Sequence, residues 1–520
     1  MQRNRREFLE NVGSGMLIAG LGSSLAGDLG VSAAFAADGS ESLEFGDLRP
    51  LVGLLQETAA EKIQPILIKK LQEGTTDLKQ LIAAAALANA ETFGGEDYVG
   101  FHTEMALLPA LQMSREMPKD RRALPVLKVL HRNTKRIQES GFLKNKRLEP
   151  IVAVGGAKSV QGGESLRQAT RAADMQGAER IFAAQMQNGS LKDAYNQLLW
   201  SVQDSADVHR FVLAHRAFGL VNVVGPEHAH TMLRQCVRYC VKSEANRIKR
   251  KNKLPPHRRL IPRLLDQYKL LSRKPGKRHP GDEWLESMSM FIHRNPKEKV
   301  LDAVAAALGD GIDLEVIGQA ISLAANQLVL RQGTRKDGSR RCHGDSPGVH
   351  SSDSTNAWRN MARVSDHRNA TVGIMLAAYH VAQFDNHTET DPFPLESHLE
   401  AIKTTDASEL LETAAEAIRE NDQGTAAAAI AVYGQQGHAL RPVRDLMLRF
   451  GCSEDGRLHA EKYYHTVGEE YSTTSRTFRW RQIVGLARVT ASAYGYNRKD
   501  EHGHRAPGYE QACRLLGVDA

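Results

Sequence analysis

The stretch Leu71-Gln-Glu-Gly74-Thr-Thr-Asp-Leu78, followed by an alanine-rich segment that ends at Asn89, decides how this chain folds. The same pattern recurs at Leu308-Gly-Asp-Gly311-Ile-Asp-Leu314 with a segment that ends at Asn326, and fifteen residues separate the glycine from the asparagine in both copies. Apolar residues in both segments recur at three- and four-residue spacing, which is typical of amphipathic helices. A repeated helix–turn–helix pattern predicts a fold built from related helical units.

A histidine begins the helix that follows each of these segments. It is His102 in the first copy and His350 in the other, and weaker copies of the pattern place His209 and His459 in the same position. Each of the four units consists of a helix, a turn, a helix, a variable loop and a helix hairpin. Because no such unit buries its apolar face alone, we predict an all-α protein whose repeated helical hairpins stack into an α-solenoid or an α/α-toroid.

Helical periodicity extends through the rest of the chain. Apolar spacing predicts helices over four segments of the first half: Leu67–Leu71, Leu78–Ala90, Leu107–Met113 and Val126–Ile137. Alternating patterns of strand length are not found, and the intervening loops are rich in glycine and proline. We expect the variable loops to gather on one side of the array, where binding sites usually lie.

The N-terminus carries the features of a twin-arginine export signal. Arg5-Arg6 is followed by Phe8-Leu9, a weakly apolar, glycine-rich stretch and the signal-peptidase site Ala34-Phe35-Ala36. A membrane anchor is disfavoured because the stretch lacks a run of about 18 apolar residues. We therefore expect residues 1–36 to engage the twin-arginine translocation machinery. The mature chain, without a transmembrane segment, would then work in the periplasm or another exported location, and the route often carries folded proteins that hold a cofactor.

Composition divides the mature chain into three parts: an N-terminal helical half at 37–245, a basic, proline-rich connector at 246–282 and a C-terminal helical half at 283–520. In the connector, Arg247 to Arg278 holds thirteen Lys or Arg and a single acid, Asp266, and we predict a short helix there over Ile261–Leu271. Such a patch suits an anionic partner, a lipid or an acidic polymer, and export argues against nucleic acid. The alternative is a solvated linker.

Familiar catalytic motifs are scarce. Gly344-Asp-Ser-Pro-Gly348 fits the G-x-S-x-G pattern, but no strand pattern precedes it, as a nucleophile elbow requires. Walker, GxGxxG, HExxH and CxxCH patterns are missing, so nucleotide-binding enzymes of those types are disfavoured and the catalytic and cofactor-binding residues stay unknown. Five cysteines, an odd number, predict no disulfide framework: Cys236, Cys240, Cys342, Cys452 and Cys513.

Hairpin geometry groups several histidines. In an antiparallel hairpin the start of the first helix meets the end of the second, so we expect His102 close to His131, and His350 close to His380. With His209, these five form a candidate site for Fe, Cu or Zn, which imidazole suits. Carboxylates are available nearby: Glu96, Asp97, Glu104, Asp345 and Asp353. Further histidines are candidates: His228, His230, His459 and His465. The alternative is a structural role, in which the repeated histidines hold loops against hairpins.

One stretch resembles a known family. Val349-His-Ser-Ser-Asp-Ser-Thr-Asn-Ala-Trp-Arg359 is similar to the histidine-led helix start of questin-oxidase-like proteins, with fainter echoes near His102 and His209. The resemblance implies an all-helical repeat protein, and some members are linked to oxygen-dependent ring cleavage. This chain departs from that family in its export signal and in lacking the dense histidine pattern elsewhere. As a whole it resembles the twin-arginine-exported proteins of planctomycete-type bacteria.

Two functions follow from these observations. The first is an exported, metal-dependent oxidoreductase with a histidine-rich site. The second is a non-catalytic helical-repeat scaffold that binds a partner or an anionic polymer through its concave face and its basic connector.

Overall fold

The computed structural model describes residues 43–140, 147–154, 162–333, 344, 346–384, 391–453, 458–495 and 507–519. The segment predicted to be an export signal, residues 1–36, lies outside the described residues, as do Cys342 and Asp345. Within them the regular structure is α-helical apart from short 3-10 turns, and an isolated bridge between Arg278 and Ile312 is the one β-type pairing. The predicted all-α class is therefore confirmed.

In the part of the N-terminal half that the structure describes, ten helices form two groups. The first group is α1 (Arg49–Glu57), α2 (Ala60–Gln72), α3 (Leu78–Phe93), α4 (Tyr98–Glu116) and α5 (Leu124–Glu139). The second group is α6 (Gly163–Arg171), α7 (Met175–Asn188), α8 (Leu191–Val202), α9 (Val208–Val224) and α10 (Ala229–Lys249). The four helices predicted from apolar spacing lie within α2, α3, α4 and α5.

The rest of the described chain adds thirteen helices. Six follow the second group: α11 (His257–Gln267), α12 (Asp282–Arg294), α13 (Lys297–Gly309), α14 (Leu314–Arg331), α15 (Pro347–Val364) and α16 (His367–Ala382). Seven complete the chain: α17 (Glu396–Ala401), α18 (Ala407–Arg419), α19 (Gln423–Gln435), α20 (Leu440–Ser453), α21 (His459–Thr473), α22 (Arg479–Ala493) and α23 (Pro507–Leu516).

The two copies of the repeated motif have the same local structure. Gly74 and Gly311 both take a left-handed backbone, with φ of +67° and +78°, which is why glycine stands there. Each turn ends on an aspartate, Asp77 or Asp313, whose carboxylate caps α3 or α14. The asparagine fifteen residues after the glycine is fully buried in both copies, at 0% exposure. The repeat is therefore a property of the fold as well as of the sequence.

Four helices form the centre of the molecule. Helix α4 packs against α9, α9 against α15, α15 against α21, and α21 returns to α4. The described helices thus form a closed ring, as in an α/α-toroid, rather than an open α-solenoid. Each central helix packs against the helix that follows it, α5, α10, α16 or α22, so every unit contributes one helix to the centre and one to its outside.

Contacts between the first and last units close the ring. Lys128 of α5 lies 2.7 Å from the carboxylate of Glu461 of α21, and their side chains are 2% and 0% exposed. The ammonium also donates to the carbonyl of Gly451, at 3.2 Å. The C-terminal helix α23 packs on α2 and α5, where the side-chain amide of Gln64 donates to the carbonyl of Gly508 at 2.6 Å. Residues from opposite ends of the chain therefore hold one another.

The basic connector is partly anchored. Its helix α11 begins about one turn earlier than the predicted Ile261–Leu271, because Pro256 is already in helical conformation. The helix also ends earlier than predicted, because Lys269 takes a left-handed backbone. His257 is buried, and Arg258 donates to the carbonyl of Asp204 at 2.7 Å. The inner face of the connector is thus packed. No helix among the described residues is long and apolar enough to span a membrane.

Removing Lys128 is expected to destabilise the ring. In Lys128→Met, Glu461 stays buried without its cation, which costs about 3–5 kcal/mol of unfolding free energy. The double variant Lys128→Met/Glu461→Leu, in which no charge is left unpaired, should recover most of that loss. Urea unfolding followed by circular dichroism measures both changes.

The control is Lys69→Met, which removes an exposed ion pair with Glu73 and should cost less than about 1 kcal/mol. Equal losses in the Lys128 and Lys69 variants would contradict the role assigned to the buried pair.

Candidate functional site: a four-histidine cluster

Four histidines, one from each central helix, meet at one end of the ring. Going round, the ring centroids of His102 and His209 are 4.9 Å apart, those of His209 and His350 5.9 Å, those of His350 and His459 5.2 Å, and those of His459 and His102 5.5 Å. We call these four side chains the histidine cluster. It contains the histidine of each of the four units recognised in the sequence.

The position of each histidine at the start of its helix explains why the four meet. His459 is the first residue of α21, His209 the second of α9, His350 the fourth of α15 and His102 the fifth of α4. Side-chain caps define three of these starts: the carboxylates of two aspartates and a serine hydroxyl, from Asp97, Asp207 and Ser346. Neighbouring helices that begin at the same end bring their first-turn residues together on the ring axis.

Two of the imidazoles are oriented by acceptors outside the cluster. Nδ1 of His102 lies 2.6 Å from the carbonyl oxygen of Tyr98, and Nδ1 of His209 lies 3.2 Å from a carboxylate oxygen of Asp207. Because both partners are acceptors, Nδ1 must carry the proton, and in a neutral ring the lone pair is then on Nε2. Although burial raises the pKa of Asp207, hydrogen bonds from His209 and Tyr239 bring it below its ordinary value.

The other two histidines face each other. Nε2 of His350 and Nε2 of His459 are 3.2 Å apart. Within the described residues, Nε2 of His102, Nε2 of His209 and Nδ1 of His459 are buried without a hydrogen-bond partner. Buried polar atoms are normally paired, so several nitrogens left unsatisfied at one place mark a site that something else completes.

Burial favours the neutral form of His102, His350 and His459. Desolvation, followed by the charge of Lys462, lowers the pKa of His102 to about 2 and that of His350 to about 3. The same two causes hold the pKa of His459 well below the ordinary value. Neutral imidazole is the form that binds metals.

One side of the cluster reaches the surface. His102 and His459 are buried, whereas the side chain of His209 is 19% exposed and His350 is half-buried. The ring of Tyr98, 63% exposed, lies 4.5 Å from that of His102 and 5.8 Å from that of His209. The cluster therefore lies nearest the surface beside this tyrosine.

Charged and polar residues continue inward from the cluster along the ring axis. One turn along α21 and α15 are Lys462 and Asp353, at 3% and 4% exposure. The Asp353 carboxylate accepts from the hydroxyl of Thr466 at 2.8 Å, and burial raises its pKa. Burial also lowers the pKa of Lys462 to about 8. Arg216 of α9, at 2% exposure, lies deeper on the same face of its helix as His209.

Of the predicted site residues, His131 lies away from the cluster. The hairpin brings the end of α5 beside the start of α4, as expected, since the hydroxyl of Thr103 donates to the side chain of Asn133 at 3.0 Å. Residue 131, however, lies about 200° around the helix from residue 133 and so faces the other way. The ring of His131 packs on Gly508 of α23, where a Cβ would not fit. The expected approach of His131 to His102 is therefore wrong.

His380 lies beside the cluster rather than in it. Its Nδ1 is 2.9 Å from the hydroxyl of Ser354, and its ring packs on Phe211 and Phe384. It lies close enough to His350 for a charge on His380 to lower the pKa of His350. His459, which we placed only among the further candidates, takes the fourth position.

The other candidates have partners of their own. Asp97 pairs with Arg136 and Glu96 with Arg238, while His465 pairs with Glu469 at 3.2 Å. Glu104 is fully buried, which raises its pKa to about 8. The rings of His228 and His230 pack on Phe45 and Phe182. The four cysteines within the described residues are buried and free, in keeping with the predicted lack of a disulfide framework: Cys236, Cys240, Cys452 and Cys513.

No protein-family model, curated protein or solved structure matches this chain. Among the described residues, no three or more His, Cys, Asp or Glu side chains are placed to hold a metal ion as they stand. The geometry thus defines a cluster of four imidazoles, two of them held in a fixed tautomer.

The tautomers are open to direct measurement. In metal-free protein labelled with ¹⁵N-histidine, the rings of His102 and His209 are expected to be protonated on Nδ1, because a carbonyl and a carboxylate face that atom. Two-bond ¹H–¹⁵N correlation spectra distinguish the two tautomers, and His102→Gln and His209→Gln assign the signals. An Nε2–H tautomer at His102 would place two acceptors 2.6 Å apart and would contradict the geometry.

Proposed function

We propose that this chain is an exported, all-helical, metal-dependent oxidoreductase whose metal ion is held by His102, His209, His350 and His459. The observation that carries the proposal is the pair of oriented rings. In His102 and His209, Nδ1 contacts a carbonyl or a carboxylate oxygen, and Nε2 is buried without a partner among the described residues. Metal-binding histidines show this pattern, in which an outer acceptor fixes the ring and makes it a better ligand.

The spacing of the rings supports the same proposal. Four imidazoles bound to one ion at the Zn–N distance of about 2.1 Å would have ring centroids about 5 Å apart. Neighbouring centroids in the cluster are 4.9–5.9 Å apart. Two nitrogens on one tetrahedral ion would be separated by about 3.4 Å, near the 3.2 Å between Nε2 of His350 and Nε2 of His459. Among the described residues the side chains do not form a metal-binding group as they stand, so ligation requires them to rearrange.

The choice of an oxidoreductase rests on two further considerations. An all-imidazole site suits Fe and Cu as well as Zn, and Fe or Cu would supply the one-electron chemistry that the chain's own side chains lack. The twin-arginine route and the resemblance to questin-oxidase-like proteins favour a redox role over a purely structural ion. In this scheme Asp207 and the Tyr98 carbonyl orient ligands, and Tyr98 and Phe101 keep bulk water from the buried side.

Asp207→Asn tests the metal site without removing a ligand. Asparagine caps a helix about as well as aspartate, so α9 is preserved, but the carboxylate that orients His209 becomes a neutral amide. We expect metal affinity to fall about 10- to 100-fold. Elemental analysis of untagged protein, with competition against a chelator, measures stoichiometry and affinity.

His459→Gln should abolish stoichiometric binding, whereas His131→Gln, which changes an equally buried histidine outside the cluster, should leave about one ion per chain. A wild-type chain that carries no transition metal, and whose melting temperature is unaffected by chelator, would rule the proposal out.

The alternative function is an exported scaffold that binds an anionic polymer. It is favoured by the outer face of the connector, where cationic side chains stay exposed while the inner face is packed: Lys253, Arg259, Arg263, Lys269, Lys274 and Lys277. Clustered exposed cations attract polyanions, and salt screens the attraction.

Neutralising this surface tests the alternative. The triple variant Arg259→Gln/Arg263→Gln/Lys269→Gln should elute from heparin at clearly lower salt than wild type. The control, Lys62→Gln/Lys69→Gln/Lys79→Gln, removes the same charge from exposed positions of α2 and α3. Equal shifts in the two triple variants would show that net charge alone, rather than the connector, governs retention.

A further inference from the structure

Lys462 differs from buried cations that lie in ion pairs, such as Lys128 and Arg359. Lys128 pairs with Glu461, and Arg359 pairs with Glu470 and Glu315. Lys462 is as deeply buried as these, at 3% exposure, yet within the described residues it forms neither an ion pair nor a hydrogen bond. Buried lysines are almost always paired, because an unpaired buried charge is costly.

The position of Lys462 directs its charge at the histidine cluster. It follows His459 by three residues, and helical side chains lean toward the N-terminus of their helix, so its ammonium lies over the turn that carries His459. Consistently, it is the first charged group among the causes that lower the pKa of His102, His350 and His459. Its nearest opposite charge on a neighbouring helix, Asp353, forms no ion pair with it and is engaged by Thr466.

The backbone adds positive potential at the same place. Helices α4, α9, α15 and α21 all begin at the cluster, and the N-terminus of each helix carries a partial positive charge. Helix N-termini combined with a buried ammonium form a setting that favours an anion. Nε2 of His102 and Nδ1 of His459 are buried without a hydrogen-bond partner among the described residues.

We propose that Lys462 binds the anionic end of a small carboxylate, which occupies the space between its ammonium and the histidine cluster. This inference rests on the proposed function, because it assigns a small organic acid as the substrate class of the metal-dependent reaction. The ammonium donates a charge-assisted hydrogen bond to the carboxylate, and the rest of the molecule extends toward the histidines and the opening beside Tyr98. Lys462 thereby acquires a directly paired counter-charge in addition to the unpaired charge of Asp353.

The test uses the mature chain with sodium formate and sodium acetate as probes, against sodium chloride at the same ionic strength. Isothermal titration calorimetry should detect carboxylate binding to wild type, and Lys462→Met should weaken it about tenfold or more, as expected for the loss of a charge-assisted hydrogen bond. Lys462→Arg, which keeps the charge, should retain part of the affinity.

Thermal unfolding without carboxylate provides a second measurement. Lys462→Met removes an unpaired buried charge, so its melting temperature should equal or exceed that of wild type, the opposite of Lys128→Met. Formate should raise the melting temperature of wild type and leave that of Lys462→Met unchanged. Unchanged affinity in Lys462→Met, or a lower melting temperature with no carboxylate effect in wild type, would overturn the proposal and make Lys462 structural.

Metal content measured on the same samples separates the two proposals. Carboxylate binding that depends on Lys462 in a chain without metal would support the anion site and refute the metal-dependent oxidoreductase. Metal bound in stoichiometric amount without carboxylate binding would support the metal-dependent oxidoreductase and refute the anion site.

Discussion

Closure of the four-helix ring depends on the contact between its first and last units. Lys128 and Glu461 meet there at 2.7 Å, almost fully buried, and the carboxylate of Glu116 accepts from Arg444 at 2.7 Å and from Tyr464 at 2.9 Å. His102 and His459 belong to the same two units. The histidine cluster therefore exists only while this contact holds.

Much of the fold was predictable because its signals are local. The left-handed glycine, the aspartate cap and the buried asparagine of each repeat are set within about one helix and one turn, and all are visible in the sequence around Gly74 and Gly311. Whether the array closes was not predictable, since closure depends on pairs such as Lys128 and Glu461, 333 residues apart in sequence. The start of α11 was misplaced by one turn for a local reason, the two prolines before it.

The candidate site was predictable in position but not in membership. The repeat placed a histidine at the start of four helices, and those four residues form the cluster. Pairing within a hairpin, in contrast, suggested His131, because sequence spacing gives the level of a residue along a helix more readily than the side it faces. The hydrogen bond between Thr103 and Asn133 shows that the level was correct. His459 was undervalued because its unit matched the repeat poorly, although a ring of four units needs one residue from each.

The electrostatics of the ring connect the two proposals. Four helix N-termini and Lys462 make the cluster a place where a bare cation is disfavoured, and desolvation together with Lys462 lowers the pKa of His102. A divalent ion bound by the four imidazoles would carry its full charge into that positive setting, where the Asp207 carboxylate contacts one of the ligands. A carboxylate held by Lys462 supplies the missing negative charge. Metal and acid should therefore bind cooperatively, each lowering the electrostatic cost of the other, which links occupancy of the metal site to the presence of substrate.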